Sequence, residues 1–277
     1  MPTPYRLMPY DHDSVASAYL DALHGIRSLA ADTPDDQWDL ATECPGWTVR
    51  DQFTHVIAVE EDLALRPLPD HQPDWAALPH VDDEIGQFLE IGVDFRRGRR
   101  ADAIRAELAE VIATREPMIA ELPRDGEVPV RGVAGMSSVA GRFGPVRAFD
   151  VWAHEQDVRR ATAQPGRLTS PAALMALDRI AVALPIVVAK FAKAAPGESV
   201  QLVVGDPLDV TITVSVGDDG RAAVVDEVAH PTAVIHLDFP TLVRLACGRA
   251  VPADLSIVVD GDLDLAQRVL AEAAITP

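Results

Sequence analysis

The 277 residues carry 43 acidic against 24 basic side chains, a formal charge of −19 that repels phosphate backbones and anionic surfaces and so excludes nucleic acid and membrane as expected partners. At 48% hydrophobic and 24% charged residues the chain has the composition of a globular protein, not of a disordered one, and it is long enough for two domains. The opening M-P-T-P-Y-R-L-M-P-Y-D-H-D has no apolar core of signal-peptide type, no later run of about 18 apolar residues follows, and Cys44 and Cys247 alone offer neither a disulfide framework nor a Cys-based zinc motif, so a cytoplasmic location is expected.

From Asp11 to Ala31 apolar residues recur at helical spacing (Val15, Ala18, Ala22, Leu23, Ile26, Leu29), which predicts a first helix. The turn E-C-P-G-W then leads to Thr48, with Asp51 three positions on. That pattern resembles a capping box with Asp in place of Glu or Gln, and predicts a second helix from about residue 49 to Leu65. Residues 66 to 81, with four prolines, read as a loop. Residues 82 to 122 read as helix interrupted at R-R-G-R-R (96–100), a basic cluster better read as a solvated helix end than as an anion site. G-V-A-G-M-S-S-V-A-G-R-F-G-P lacks phosphate-loop spacing and reads as a connection before a helix from Pro145 to about Ala163. Four main helices argue for an up-and-down bundle over residues 1–165.

The segment T-A-Q-P-G-R-L-T-S-P (162–171) marks the boundary to a second domain, 166–277. A helix over 172–194 precedes S-V-Q-L-V-V, D-V-T-I-T-V-S-V, R-A-A-V-V-D and T-A-V-I-H-L. A short helix F-P-T-L-V-R-L-A-C-G, a strand L-S-I-V-V-D and a last helix from Asp262 to Ala274 follow, which predicts a smaller α+β domain with a mostly antiparallel sheet.

On the helix R-A-F-D-V-W-A-H-E-Q-D-V-R-R (147–160), Asp150 and His154 stand four apart and share a face with Val146, Val151, Val158 and Ala161; Glu155, Gln156, Arg159 and Arg160 occupy the opposite face, read as solvated. A carboxylate turned into a bundle needs a partner. The imidazole one turn away meets that need by a hydrogen bond, and so does a shared cation. A third ligand is available from the second helix, where His55 flanks the apolar arc of Val49, Phe53, Val56 and Leu63; two imidazoles and a carboxylate with one position open is a catalytic zinc donor set. Asp157 flanks the same face, placed either to orient a ligand imidazole or to pair with Arg160 or Arg147. Cys44 reads as buried and structural, and His230 and His236 lack a third ligand at recognisable spacing.

C-P-G-W-T-V-R-D-Q-F-T-H (44–55) and D-V-W-A-H-E-Q-D-V-R-R-A (150–161) resemble the two signature segments of the mycothiol-dependent maleylpyruvate isomerase family, within the wider DinB-like metal-binding four-helix bundles. The resemblance extends to L-V-R-L-A-C-G-R (242–249) and V-D-G-D-L-D-L-A (259–266), which match the layout of the family's C-terminal domain, one similar to sterol carrier proteins. It implies a divalent metal on His55, Asp150 and His154, zinc first and nickel as the alternative, with mycothiol or a similar thiol as cosubstrate. It also implies that Arg249, with Arg244 as rival, steadies an anionic substrate. The implied activity is that of a thiol-dependent isomerase or S-transferase acting on a small electrophile, as monomer or homodimer: a thiolate adds to the cis double bond of an activated dicarboxylate, allows rotation and leaves. The competing reading is a non-catalytic metal- or ligand-binding regulatory protein of the same fold. One departure stands out: position 150 is Asp where the family pattern has Glu, one methylene shorter.

Overall fold

The computed structural model describes residues 2–8 and 11–276. In chain order the main elements are β1 (Thr3–Pro4), α1 (His12–Asp32), α2 (Val49–Leu63), α3 (Glu84–Asp94), α4 (Ala101–Ala120), β2 (Pro129–Arg131), β3 (Ser137–Val139) and α5 (Ala140–Ala161). There follow α6 (Pro171–Ile186), β4 (Ser199–Val204), β5 (Val210–Val216), β6 (Ala222–Val225), β7 (Ala233–Leu237), α7 (Phe239–Ala246), β8 (Val258–Gly261) and α8 (Leu263–Ala271). They divide into two compact units, residues 10–176 and residues 177–277 with residues 1–9.

In the helical unit, α1 starts where the Asp11 carboxylate accepts the Ser14 N–H at 2.7 Å, and α2 starts on a reciprocal capping box between Thr48 and Asp51. α1 packs on α4 and α5, and α2 packs on the same two helices and on α3. The core they close holds Tyr19, Leu23, Ile26, Phe53, Ile57, Ile104, Leu108, Ile112 and Trp152, all essentially without solvent exposure. Each such apolar side chain contributes about 1.5–3 kcal/mol on burial.

Two expectations change here. R-R-G-R-R is a solvated helix end only in part: Gly98 and Arg100 are exposed, but Arg96 is only 3% exposed and spends its donors on Glu107 Oε2 (2.8 Å), Glu61 Oε2 (2.6 Å) and the Gly92 carbonyl (2.9 Å). The sequence hides this because the acidic partners lie in α2 and α4. The connection before α5 contains the hairpin β2–β3, and α5 begins at Ala140, ahead of Pro145. The Val128 and Gly126 carbonyls accept the N–H groups of Ala140 and Gly141 at 2.9 Å, which satisfies first-turn donors that lack intrahelical partners and starts the helix early.

In the second unit the sheet order is β1-β5-β4-β7-β8, with β6 also paired to β5. β4–β5, β5–β6 and β7–β8 are antiparallel while β4–β7 and β1–β5 are parallel, so the sheet is mixed, with the expected antiparallel pairings in the majority. The two parallel pairs arise from the connection from β6 to β7, which returns the chain beside β4, and from the arrival of β1 from the other end of the sequence. On the central strand Val200, Leu202 and Val204 face inward, and α8 packs on β7. Pro171–Phe191 is long and apolar enough to cross a membrane by length and composition, yet 61% of its apolar window is buried within the protein. Its Asp178 is fully buried and accepts hydrogen bonds from Tyr5 Oη (2.9 Å) and the Met8 N–H (2.8 Å), both supplied by the segment after β1.

Candidate metal site

His55 sits in the second turn of α2, and Asp150 and His154 stand one turn apart on α5. The fold brings all three together: one ligand atom from each lies within 4.8 Å of the others. His55 Nε2 is 3.5 Å from Asp150 Oδ2, and His154 Nε2 is 3.8 Å from Asp150 Oδ1. Ligand atoms about 2.0–2.2 Å from a common tetrahedral ion are separated by about 3.4 Å, so the set, which reaches Asp150 through two different oxygens, has to tighten to hold one ion. Both ring nitrogens of His55, which is 3% exposed, lack a hydrogen-bond partner, an arrangement costly for a buried imidazole and relieved by a ligand. The internal acid–imidazole hydrogen bond, the simpler reading of the i, i+4 pair, is not formed at 3.8 Å. The donor set therefore fits a divalent ion.

The surroundings orient these groups. Gln52, one turn before His55, donates its amide Nε2 to Thr42 Oγ1 at 2.8 Å, which turns its Oε1 to His154 Nδ1 at 2.6 Å. His154 then carries its proton on Nδ1 and leaves Nε2 as a lone-pair donor facing Asp150. Asp157 pairs with Arg160 at 2.5 Å, one of the partners expected of it, and its other oxygen lies 3.7 Å from His154 Nδ1. Burial would raise the Asp150 carboxyl, but the Arg147 guanidinium at 2.7 Å, then His55 and His154, outweigh it and hold the group well below the usual carboxylate range. Trp47, from the C-P-G-W turn, lays its ring 4.9 Å from that of His55 and 5.6 Å from that of His154, and its indole N–H donates to the buried Glu90 at 2.9 Å. In that turn Gly46 has φ +76°, and a Cβ there would meet the His80 ring at 2.3 Å, so glycine is required.

The helix wheel was right about His154, right only in part about Asp150, which is half-buried, and wrong about the face opposite. Glu155 is fully buried and Gln156 nearly so, whereas Val146, placed inside, is 37% exposed. Glu155 accepts Arg159 Nε at 2.7 Å and lies 3.0 Å from Arg167 Nε, a cluster that the single-helix wheel cannot reveal because Arg167 comes from beyond the helix. Cys44 is buried, as expected of a structural thiol. Arg244 lies in α7 and Arg249 just after it, with Arg249 Nη1 donating to the Cys247 carbonyl at 2.8 Å; both belong to the sheet-bearing unit. Gln52, Trp47 and Arg147 went unrecognised in the sequence, although Gln52 and Arg147 each stand three positions before a proposed ligand, a spacing that places them on the same side of the helix.

Residues 19–159 match the mycothiol maleylpyruvate isomerase N-terminal domain, and residues 175–268 match the C-terminal domain of the same family. The chain is similar in fold to the crystal structure of the mycothiol-dependent maleylpyruvate isomerase, with 14% sequence identity, 92% of this chain and 95% of that one covered, and a TM-score of 0.55. It is similar also to the structure of a histidine-to-alanine mutant of that enzyme, at 13% identity, the same coverage and a TM-score of 0.57. No curated protein sequence matches the chain. With over half of its length inside the first of these domain models, the chain belongs to the mycothiol maleylpyruvate isomerase family.

Proposed function

We propose that the chain is a metal-dependent, thiol-dependent isomerase of the maleylpyruvate isomerase kind, with His55, Asp150 and His154 as ligands of a divalent ion and mycothiol or a similar thiol as cosubstrate. The observation that carries this is the convergence of the three donors within 4.8 Å around a buried imidazole with no hydrogen-bond partner. A bound divalent ion at this position lowers the pKa of a coordinated thiol and supplies thiolate at neutral pH. The chain's own residues do the rest. Gln52 holds His154 in the tautomer that offers Nε2. Arg147 keeps Asp150 ionised. Trp47 covers the two imidazoles with a ring and limits the approach of water on its side.

The reaction that suits this set is addition of thiolate sulfur to one carbon of an electron-poor cis double bond. The π pair moves into the conjugated carbonyl, the resulting single bond rotates, and the pair returns to expel the thiolate, so atoms and electrons balance with no net consumption of thiol. Arg249, or Arg244 in its stead, is proposed to pair with a substrate carboxylate. The helical unit is read as a DinB-like four-helix bundle, supported by α1 and α2 each packing on both α4 and α5. The second domain, read from the sequence as residues 166–277, is proposed to be sterol-carrier-like.

Elemental analysis of the purified protein, joined to an assay with maleylpyruvate and mycothiol, tests the reading. About one zinc or nickel per chain, its loss in His154→Ala, and thiol-dependent isomerisation are expected. A chain that refuses zinc at micromolar excess sinks it.

A further inference from the structure

Arg147 stands one turn before Asp150 on α5 and is only 3% exposed. Its three nitrogens are used separately: Nη1 donates to Asp150 Oδ2 at 2.7 Å, Nη2 to Glu60 Oε1 at 2.7 Å, and Nε points to Tyr19 Oη at 3.5 Å. Glu60, fully buried on α2, also accepts Arg115 Nε at 2.9 Å and the Tyr19 hydroxyl at 2.7 Å. Charges therefore alternate along one path, Asp150, Arg147, Glu60, Arg115, and sum to zero. Tyr19 stays neutral, because burial first and the Glu60 charge second push its hydroxyl above the ordinary range. Arg147, Glu60 and Arg115 lie inside the helical unit, away from solvent screening.

We propose that Arg147 cancels the only negative charge among the three metal ligands, so that the loaded site keeps the ion's double charge for an anionic thiolate at the expense of affinity for the ion. The inference rests on the metal reading above. Two roles for Arg147 predict opposite signs. Were it there only to orient Asp150, its loss would weaken ion binding about 10–100-fold, the usual effect of removing a group that orients a ligand. A dication and a guanidinium separated by one carboxylate repel strongly even at an effective dielectric constant of about 20, by more than orientation contributes. Asp150 is in any case carried on a long helix together with His154, so orientation is partly secured without Arg147.

The test is a zinc dissociation constant, measured by competition with a chromophoric chelator on the full chain, for the wild type, Arg147→Gln and Arg147→Lys. Arg147→Gln leaves Glu60 with Arg115 and Tyr19, so the buried carboxylate keeps two partners; should it not fold, Arg147→Met, which fills the volume of the stem, is read the same way. Arg147→Gln is expected to bind zinc at least about tenfold more tightly, and Arg147→Lys to stay within about threefold of wild type. With cobalt in place of zinc, the visible spectrum titrated with thiocyanate should show anion affinity falling about tenfold in Arg147→Gln. A wild type that loads zinc beside an Arg147→Gln variant that binds it equally or more weakly overturns this inference and leaves the metal reading intact. A wild type that takes up no zinc beside an Arg147→Gln variant that does would support the charge role and remove the resident ion. Failure of every variant to bind zinc removes both.

Discussion

Gln52 Oε1 lies 2.6 Å from His154 Nδ1, and this contact sets the proton of an imidazole through an amide anchored on the opposite side by Thr42. The Thr42 hydroxyl in turn donates to the Trp47 carbonyl at 2.8 Å, so the C-P-G-W turn and the imidazole on α5 are linked through three side chains. A carboxylate in place of the amide would accept the same proton and add a charge; an aliphatic side chain would leave the tautomer free.

Gln52→Leu should therefore weaken zinc binding about 10–100-fold while the fold persists, since the residue packs between helices and leucine is of similar size. Chelator competition alongside a thermal melt measures both. Unchanged affinity would show that the tautomer of His154 is set elsewhere.

Trp47 offers an optical reporter. Its ring lies 4.9 Å from that of His55, close enough for a paramagnetic ion held by that imidazole to quench its emission. Cobalt or nickel titration of the wild type should dim the fluorescence, and Trp47→Phe should lose most of the change. Equal quenching in the variant would place the ion nearer Trp38 or Trp152.

Gly25→Ala reverses the usual sign for a helix. In an exposed helix interior the change stabilises by about 0.5–1 kcal/mol. Here a Cβ would stand 2.6 Å from both Glu155 Oε2 and Arg167 Nε. Displacing that buried pair should cost about 2 kcal/mol or more, read as a lower urea midpoint. A midpoint at or above that of the wild type would mean that the cluster yields freely.

Glu155 supplies a pH dependence. Burial raises its carboxyl above the ordinary glutamate range, and Arg159 and Arg167 offset only part of that. The folded chain thus holds this proton more tightly than the unfolded chain. Between the unfolded value, about 4.3, and the higher folded value, the unfolded state binds fewer protons, and stability falls as pH rises. Urea midpoints across pH 4 to 7 should show a downward contribution in the wild type that is missing from Glu155→Gln; parallel curves would refute the assignment.

Much of this was legible in the sequence wherever the governing interaction was local. The capping box of Thr48 and Asp51, the alternation of V-T-I-T-V-S-V and the i, i+4 pair of Asp150 and His154 all act within a few residues, and each appears in the structure. What escaped depends on partners distant along the chain. Glu155 looks solvated until Arg167 and α1 close over it, and Arg96 looks like a helix end until Glu61 and Glu107 meet it. Glu60 was indistinguishable from its neighbours Glu61 and Asp62 in the acidic run at the end of α2. Only the crossing of α1, α4 and α5 singles it out as the one without solvent exposure, because Tyr19, Arg115 and Arg147 come one from each of these helices. The parallel pairings of β7 with β4 and of β1 with β5 were hidden for the same reason, since parallel neighbours leave no hairpin signal in the intervening sequence.

The pairing of Thr3 with Val210 gives the chain a temporal order. During synthesis the first strand emerges early, yet the strand it must join is made only after all of the helical unit. The pairing can form only once the helical unit has been made, across a loop of some two hundred residues. Changes at Thr3, Pro4 or Tyr5 therefore act on the sheet-bearing unit, by way of Asp178 and the edge of β5, rather than on the helices that follow them in sequence.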